Sequence, residues 1–145
     1  MYTDLFGVET ITFRYFNVYG ERQPTKGQYA PVIGLFQRQK QNGEPMTIVG
    51  DGLQRRDYTH VSDVVAANLA AMKTDNEDAS GQVFNIGTGT NYNVLDIAMM
   101  IDGKEPNIKF IPPRLGEARE SLADYSKAKA LLDWAPKVKL EDWIG

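Results

Sequence analysis

"GDGLQRRDYTHVSDV", residues 50–64, passes from a glycine turn into a short strand and from that strand straight into a helix. Arg55 to Val61 read as the strand, whose side chains point to alternate faces. Ser62 is expected to cap the helix, because its hydroxyl can accept from a first-turn amide. Asp63 suits the positive end of the helix dipole. Val61, Val64, Val65, Leu69 and Met72 then follow helical spacing. The alternation sends Arg55 and Arg56 to opposite faces, so only one guanidinium can enter any given cleft. Two readings are open: one surface arginine with one ion pair to Asp51 or Asp57, or one fork of donors turned toward a carboxylate or phosphate, for which arginine is well shaped.

Working outward, the same alternation of strand and helix continues. "ETITFRY" (residues 9–15) reads as a strand with Ile11 and Phe13 on one face. "NVYGERQPTKGQYAP" (17–31) reads as a long loop, and long loops in compact domains are often functional. "VIGLFQRQKQNG" (32–43) reads as a helix stopped by Asn42-Gly43, and "PMTIVGDG" (45–52) as a strand closed by a turn. Beyond the central helix come a polar connection "TDNEDASGQ", a strand "VFNIG", a loop "GTGTNYN", a helix "VLDIAMMI", a strand "NIKFIPP" and a helix "SKAKALLDW" ended by Ala135-Pro136. This order indicates an α/β protein.

Composition narrows the function. The 145 residues suit one domain, with 42% apolar and 24% charged residues. A net charge of −3 argues against a nucleic-acid or anionic-membrane surface, which would need a basic face. No apolar run approaches the roughly 20 residues that span a bilayer, and the start "MYTDLFGVET" lacks a signal-peptide pattern. There are no cysteines and one histidine. Thiolate and multi-histidine metal sites are therefore excluded, and a cytoplasmic setting is expected.

Four further motifs carry candidate chemistry. In "PPRLGEARES" (112–121), Pro112-Pro113 stiffens the approach to Arg114. Arg114 and Glu117 stand three apart with Gly116 between them. Such a loop could clasp a phosphate and a ribose hydroxyl, or be a solvated charged loop. "GTGTNY" (87–92) resembles half of a dinucleotide fingerprint, but Tyr92 stands where the third glycine belongs. Tyr125 and Lys129 share the Tyr-x-x-x-Lys spacing and one helix face, with no nucleotide loop before them; they read as part of an amphipathic helix. His60 reads as structural, lacking a serine or carboxylate triad in the sequence around it. Trp134 and Trp143 read as packing residues.

Taken together, "RYFNVYGERQ", "GDGLQRRDYTHVSDV", "FNIGTGTNYNVLDIA" and "PPRLGEARESLADYSKAKALLDWAPKVKLEDW" resemble, in order, the extended short-chain dehydrogenases that act on nucleotide sugars. Arg14-Tyr15-Phe16-Asn17 is most similar to the NAD-dependent 4-epimerases of UDP-glucose and UDP-N-acetylglucosamine. A 4,6-dehydratase-like or reductase fragment is the alternative within that family. A non-catalytic, self-associating ligand-binding module is the alternative outside it.

The resemblance implies an α/β fold, the C-terminal part of an extended Rossmann-type enzyme. It comprises a remnant of the parallel sheet plus the small substrate-binding subdomain, as one domain over residues 1–145. The family's Gly-rich NAD loop and catalytic Tyr-x-x-x-Lys are then expected to precede Met1, so no catalytic residue is assigned here. By the same resemblance, NAD serves the parent enzyme and is not held by this chain alone. Asn17 would bond phosphate or sugar, and Tyr15 would approach the nicotinamide. Val32 and Val49 would meet the uracil, and Val94 would line the pocket, with the "GTGTN" loop as pocket wall. Arg56 and Arg114 would grip the diphosphate, with Arg55 facing the other way. Glu117 would take a ribose hydroxyl. Ser121, being small, would leave room for an N-acetyl group. The expected partners are a UDP-sugar and a second copy of the chain, joined by strand exchange.

Overall fold

The computed structural model describes residues 1–27 and 30–144; Gln28 and Tyr29, inside the loop expected over 17–31, lie outside the described residues. In chain order the elements are α1 (Tyr2–Phe6), β1 (Thr12–Tyr15), β2 (Asn17–Tyr19), α2 (Val32–Gln41), β3 (Met46–Val49), β4 (Arg55–His60), α3 (Val61–Lys73), a 3₁₀ turn (Glu77–Ala79), β5 (Val83–Ile86), β6 (Asn91–Asn93), α4 (Val94–Asp102), β7 (Ile108–Ile111), α5 (Ser126–Leu132) and α6 (Leu140–Ile144). The α/β class read from the sequence is the one observed.

The strands form three small sheets, mostly parallel. β1 pairs with β5, from Thr12 opposite Val83 to Tyr15 opposite Ile86. β3 pairs with β7, from Met46 opposite Ile108 to Val49 opposite Ile111. β4 lies between β2, which runs parallel to it, and β6, which runs antiparallel. Parallel partners far apart in sequence need crossover helices, and α2, α3 and α4 occupy those crossovers.

Two apolar cores flank β4. One gathers Tyr19, Ile33, Phe36, Met46, Ile48, Tyr58, Val94 and Ile97 under α2 and α4. The other gathers Val64, Ala67, Phe84, Ile86, Ala128, Leu132 and Trp134 between α3 and α5. A strand between two cores is buried on both faces, and Asp57 to His60 are all buried. Polar groups there must find internal partners. The α2 and β3 elements are tied by one reciprocal pair, in which Gln39 Nε2 donates to Thr47 Oγ1 at 3.0 Å and Thr47 N donates to Gln39 Oε1 at 3.1 Å.

Several local expectations are corrected. The α3 cap is His60, whose Nδ1 accepts from Ser62 N at 3.2 Å, while the Ser62 hydroxyl bonds the same ring nitrogen at 2.8 Å. Asp63 is buried in the first turn, and its Oδ2 accepts from Lys137 N and Val138 N at 3.1 and 3.0 Å, pinning the segment that leads into α6. Residues 17–19 and 91–93 are strands rather than loop. Neither is apolar enough to announce itself; both acquire their ladders from β4. The α5 helix stops at Leu132, two residues before Trp134, because Asp133 turns left-handed at φ 50°. The short helices α1 and α6 were not expected at all.

Candidate functional site

The strand β4 sets out the site. Its period of two places Gln54, Arg56 and Tyr58 on one side and Arg55 and Asp57 on the other. On the first side lies a cavity of about 430 Å³ lined by Asn17, Val32, Val49, Arg56, Val94, Arg114 and Glu117, among others. Seven of the eight residues that the resemblance connects with substrate thus border one hollow. They come from β2, α2, β3, β4, α4 and the strap that follows β7.

Charge and shape divide this cavity. Arg56 is held in place by Nη1 donating to Arg55 O at 2.8 Å, and its Nη2 stands 3.6 Å from Glu117 Oε1. Arg114 reaches the same hollow from the strap. Val32, Val49, Val94 and Ile111 form an apolar wall. α2 begins at the rim with Pro31 as its N-cap and no side-chain cap bond, so its first-turn amides add positive potential there. Gln54 pins the end of β3, its Nε2 donating to Val49 O at 2.9 Å. Burial pushes the Tyr58 phenol up to about 12, so it stays a neutral hydroxyl at physiological pH.

Neither arginine pairs as the plain reading had it. Arg55 donates Nε to Asn91 Oδ1 at 2.7 Å and Nη2 to Asn91 O at 2.8 Å, binding β6 to β4. Asp51 is taken by Arg119, through two bonds of 2.8 and 3.0 Å. The Arg119 fork, helped by the Leu53 amide, holds the Asp51 carboxyl at about 2, below the usual carboxylate range.

The strap is therefore tied at both ends. At one end Gly50 N donates to Ile111 O at 2.9 Å, and at the other Arg55 N donates to Arg119 O at 2.9 Å. Arg114 and Glu117 lie between these ties.

Asp57 supplies what the "GTGTNY" motif hinted at. Its Oδ1 accepts from Thr88 N at 2.9 Å and Thr88 Oγ1 at 2.7 Å, and its Oδ2 from Gly89 N at 2.9 Å and Ala123 N at 3.1 Å. The glycine loop does cradle an anion, but the anion is an internal carboxylate. This also corrects the expectation that the loop walls the substrate cavity. It folds onto the Asp57 side of β4, and Thr88 and Thr90 line a separate hollow of about 220 Å³ with Tyr92 and Tyr125.

Two expected residues lie elsewhere. Ser121 is not among the residues lining this cavity; it lies beside the β4 backbone, where its Oγ accepts from Asp57 N at 3.3 Å and its amide donates to Arg55 O at 3.0 Å. Tyr15 is half-exposed on β1, its hydroxyl donating to Asn68 Oδ1 at 3.1 Å. It borders a larger, open cleft of about 650 Å³ with Phe13, Asn68 and Met72. Sequence reasoning passed over Gln54, Tyr58 and Ile111. The first two were findable, being two residues either side of Arg56; Ile111 required knowing that β7 lies against β3.

His60 is structural in its surroundings: its ring packs edge-on to Tyr19 at 5.2 Å, and its Nε2 stands 3.4 Å from Glu21 Oε2. Tyr125 leans on Trp134, at 6.0 Å between ring centres, and Lys129 is exposed on α5. Among the described residues no cluster of metal-ligating side chains occurs, and no helix is long and apolar enough to cross a membrane.

Comparison with known proteins gives a consistent picture. Residues 1–87 match the model of the NAD dependent epimerase/dehydratase family. The UDP-glucose 4-epimerase of Mycolicibacterium smegmatis is 36% identical over 149 residues, which cover 99% of this chain and 46% of that protein. The crystal structure of UDP-glucose 4-epimerase with UDP-glucose from Thermotoga maritima is 39% identical and superposes with a TM-score of 0.87, covering 99% of this chain and 46% of that one. UDP-glucuronic acid 4-epimerase from Bacillus cereus, in complex with UDP-glucuronic acid and NAD, is 35% identical with a TM-score of 0.87, covering 99% and 45%. The chain spans about half the length of the relatives it matches.

Proposed function

Because the chain belongs to the NAD dependent epimerase/dehydratase family, we propose that its cavity is the nucleotide-sugar grip of a UDP-sugar 4-epimerase. The observation that carries this reading is the meeting of Arg56, Arg114 and Glu117, distant in sequence, beside an apolar wall in one hollow. In this reading the two guanidinium groups face the diphosphate and Glu117 accepts a ribose hydroxyl. Val32, Val49 and Val94 enclose the uracil, and Asn17 bonds the phosphate or the sugar. Hydrogen bonds to charged groups contribute roughly 1.5–3 kcal/mol each, so two arginines give about 3–6 kcal/mol. Micromolar affinity needs about 8 kcal/mol. The apolar wall and the ribose contact must supply the difference, which is why the arginines alone would not suffice.

NAD is not assigned to this chain alone. The loop that resembles half of a dinucleotide fingerprint, Gly87 to Thr90, already turns two backbone amides and a hydroxyl on Asp57. A pyrophosphate would have to displace a buried carboxylate to use them. Tyr15, on the open cleft, is the residue left to approach a nicotinamide bound by other parts of the whole enzyme. Ser121, beside the β4 backbone, is the small residue that in this reading leaves room for an N-acetyl group. In this reading the hydride chemistry of epimerisation belongs to other parts of the whole enzyme, and a cytoplasmic setting is part of the proposal.

A second reading, a self-associating module, is favoured by one surface. Val61, Val65, Leu69 and Met72 form an exposed stripe along α3, with Tyr2, Leu5 and Phe6 of α1 exposed as well. β1 pairs only with β5 among the described strands, and open strand edges recruit partners. A second copy joined at this face is the proposed occupant, and sedimentation over a range of concentrations tests it; a mass that stays monomeric would refute it. The grip itself is tested by calorimetric titration with UDP. Binding that weakens at least about tenfold in Arg56→Gln, the loss of one charged hydrogen bond, is expected. A folded protein giving no heat at millimolar UDP would overturn the reading.

A further inference from the structure

Resting on the nucleotide reading above, we propose that Glu117 is a specificity element: it screens the cavity arginines against bare inorganic anions and admits ligands whose hydroxyl groups take up its carboxylate. Arg56 is anchored through Nη1 on the Arg55 carbonyl, and its side chain is only 15% exposed, so the guanidinium meets an anion inside the hollow. Glu117 Oε1 stands 3.6 Å from Arg56 Nη2. That separation is too long for a hydrogen bond but well within Coulombic range.

Among the described residues no hydrogen bond reaches the Glu117 carboxylate. The neighbouring carboxylates differ: Asp51 is clasped by Arg119, and Glu120 accepts from Asn91 Nδ2 at 2.8 Å. Toward the described residues, Glu117 thus offers open acceptor sites in a cationic hollow. The two ends of the strap are joined to β3 and β4 by the Gly50–Ile111 and Arg55–Arg119 backbone bonds, with Glu117 between them.

An anion approaching Arg56 meets this negative charge at close range. Inorganic pyrophosphate carries charge and acceptors but few protons to donate, so it gains the arginines and is repelled by Glu117. A ligand with a vicinal diol beside its phosphates donates to the carboxylate, converting the same group from a repulsive to an attractive one. Discrimination of this kind works through the repulsive element as much as through the attractive ones. It also fits the charge count of the hollow: Arg56 and Arg114 against Glu117 leave one net positive charge among these three.

The test is calorimetric titration of the full chain with inorganic pyrophosphate and, separately, with UDP, at low ionic strength. The isosteric Glu117→Gln is expected to bind pyrophosphate at least about fivefold tighter than wild type, a gain that shrinks in about 0.5 M salt as screening shortens. Glu117→Ala is expected to show the same gain, and Arg56→Gln in the Glu117→Gln background to abolish it. UDP is expected to bind Glu117→Gln several-fold more weakly. Unchanged or weaker pyrophosphate binding in both Glu117 variants, with native circular dichroism, overturns the proposal whatever UDP does. A wild type that ignores UDP, with Glu117 variants that gain pyrophosphate, keeps the screening role and removes the nucleotide reading instead.

Discussion

Replacing Asp57 by asparagine should destabilise the chain by several kcal/mol although it changes one atom. The wild-type carboxylate is buried and accepts four hydrogen bonds, two on each oxygen. An asparagine keeps one acceptor oxygen and turns two N–H donors toward groups that are themselves donors. If the amide points its nitrogen at Gly89 N and Ala123 N, two backbone N–H groups are orphaned. If it points at Thr88, the hydroxyl can turn its proton to Thr90 O, 2.9 Å away, and accept instead, leaving only Thr88 N orphaned.

The second orientation is the cheaper. One buried unsatisfied donor costs about 1–3 kcal/mol, and weakening the remaining charge-assisted bonds to neutral ones costs about 1 kcal/mol each. The sum is about 3–5 kcal/mol, a large share of the 5–15 kcal/mol typical of a domain. At this chain length it lowers Tm by roughly 10 °C or more. Urea denaturation followed by circular dichroism, with an unchanged m-value, measures it directly. A loss below about 1 kcal/mol would refute the claim that this internal anion holds the glycine loop and residue 123 against β4.

Other outcomes follow from the same geometry. Gly52 adopts φ +74°, and an added Cβ would meet Ile48 Cγ2 and Leu95 Cγ at 2.9 Å; Gly52→Ala should cost about 1–3 kcal/mol in denaturant titration, against near-neutrality if the turn relaxes. Glu21 and Glu141 tie α6 to the body, through Trp143 Nε1 and the Tyr92 hydroxyl respectively, and these bonds hold both carboxyls below their ordinary value of 4.5. Groups depressed in this way stabilise above the unfolded-state pKa, and that stability is lost as pH falls through the folded value. Trp143 fluorescence, isolated by comparison with Trp143→Phe, should therefore hold steady down to about pH 4.5 and change below it; a change centred near neutrality would contradict this. Asp51→Asn should weaken UDP binding only a few-fold, because an exposed, solvent-screened pair contributes little to holding the strap, whereas Arg114→Gln should weaken it at least about tenfold by removing a charged donor. Equal losses would show that the strap, rather than its arginine, governs affinity.

The α/β class, the helices α2, α3 and α4 and the strand β4 were legible because apolar spacing and the Gly and Asn stop signals act within a few residues. So was the division of Arg55 and Arg56 between two faces, which is a property of any strand. The polar strands 17–19 and 91–93 were not legible, since their ladders are supplied by a neighbour and not by their own side chains. Nor was the partner of any charge. Asp51 and Asp57 flank the two arginines in sequence, yet Arg119 claims the one and backbone amides of the glycine loop claim the other, because folding brings those donors closer than the local chain can. The sequence by itself determined which residues could face an anion. Only the tertiary structure decided that Arg56, Arg114 and Glu117 share one hollow, because their separation is closed by the parallel pairing of β3 with β7 and by the bonds that draw the strap back onto β4.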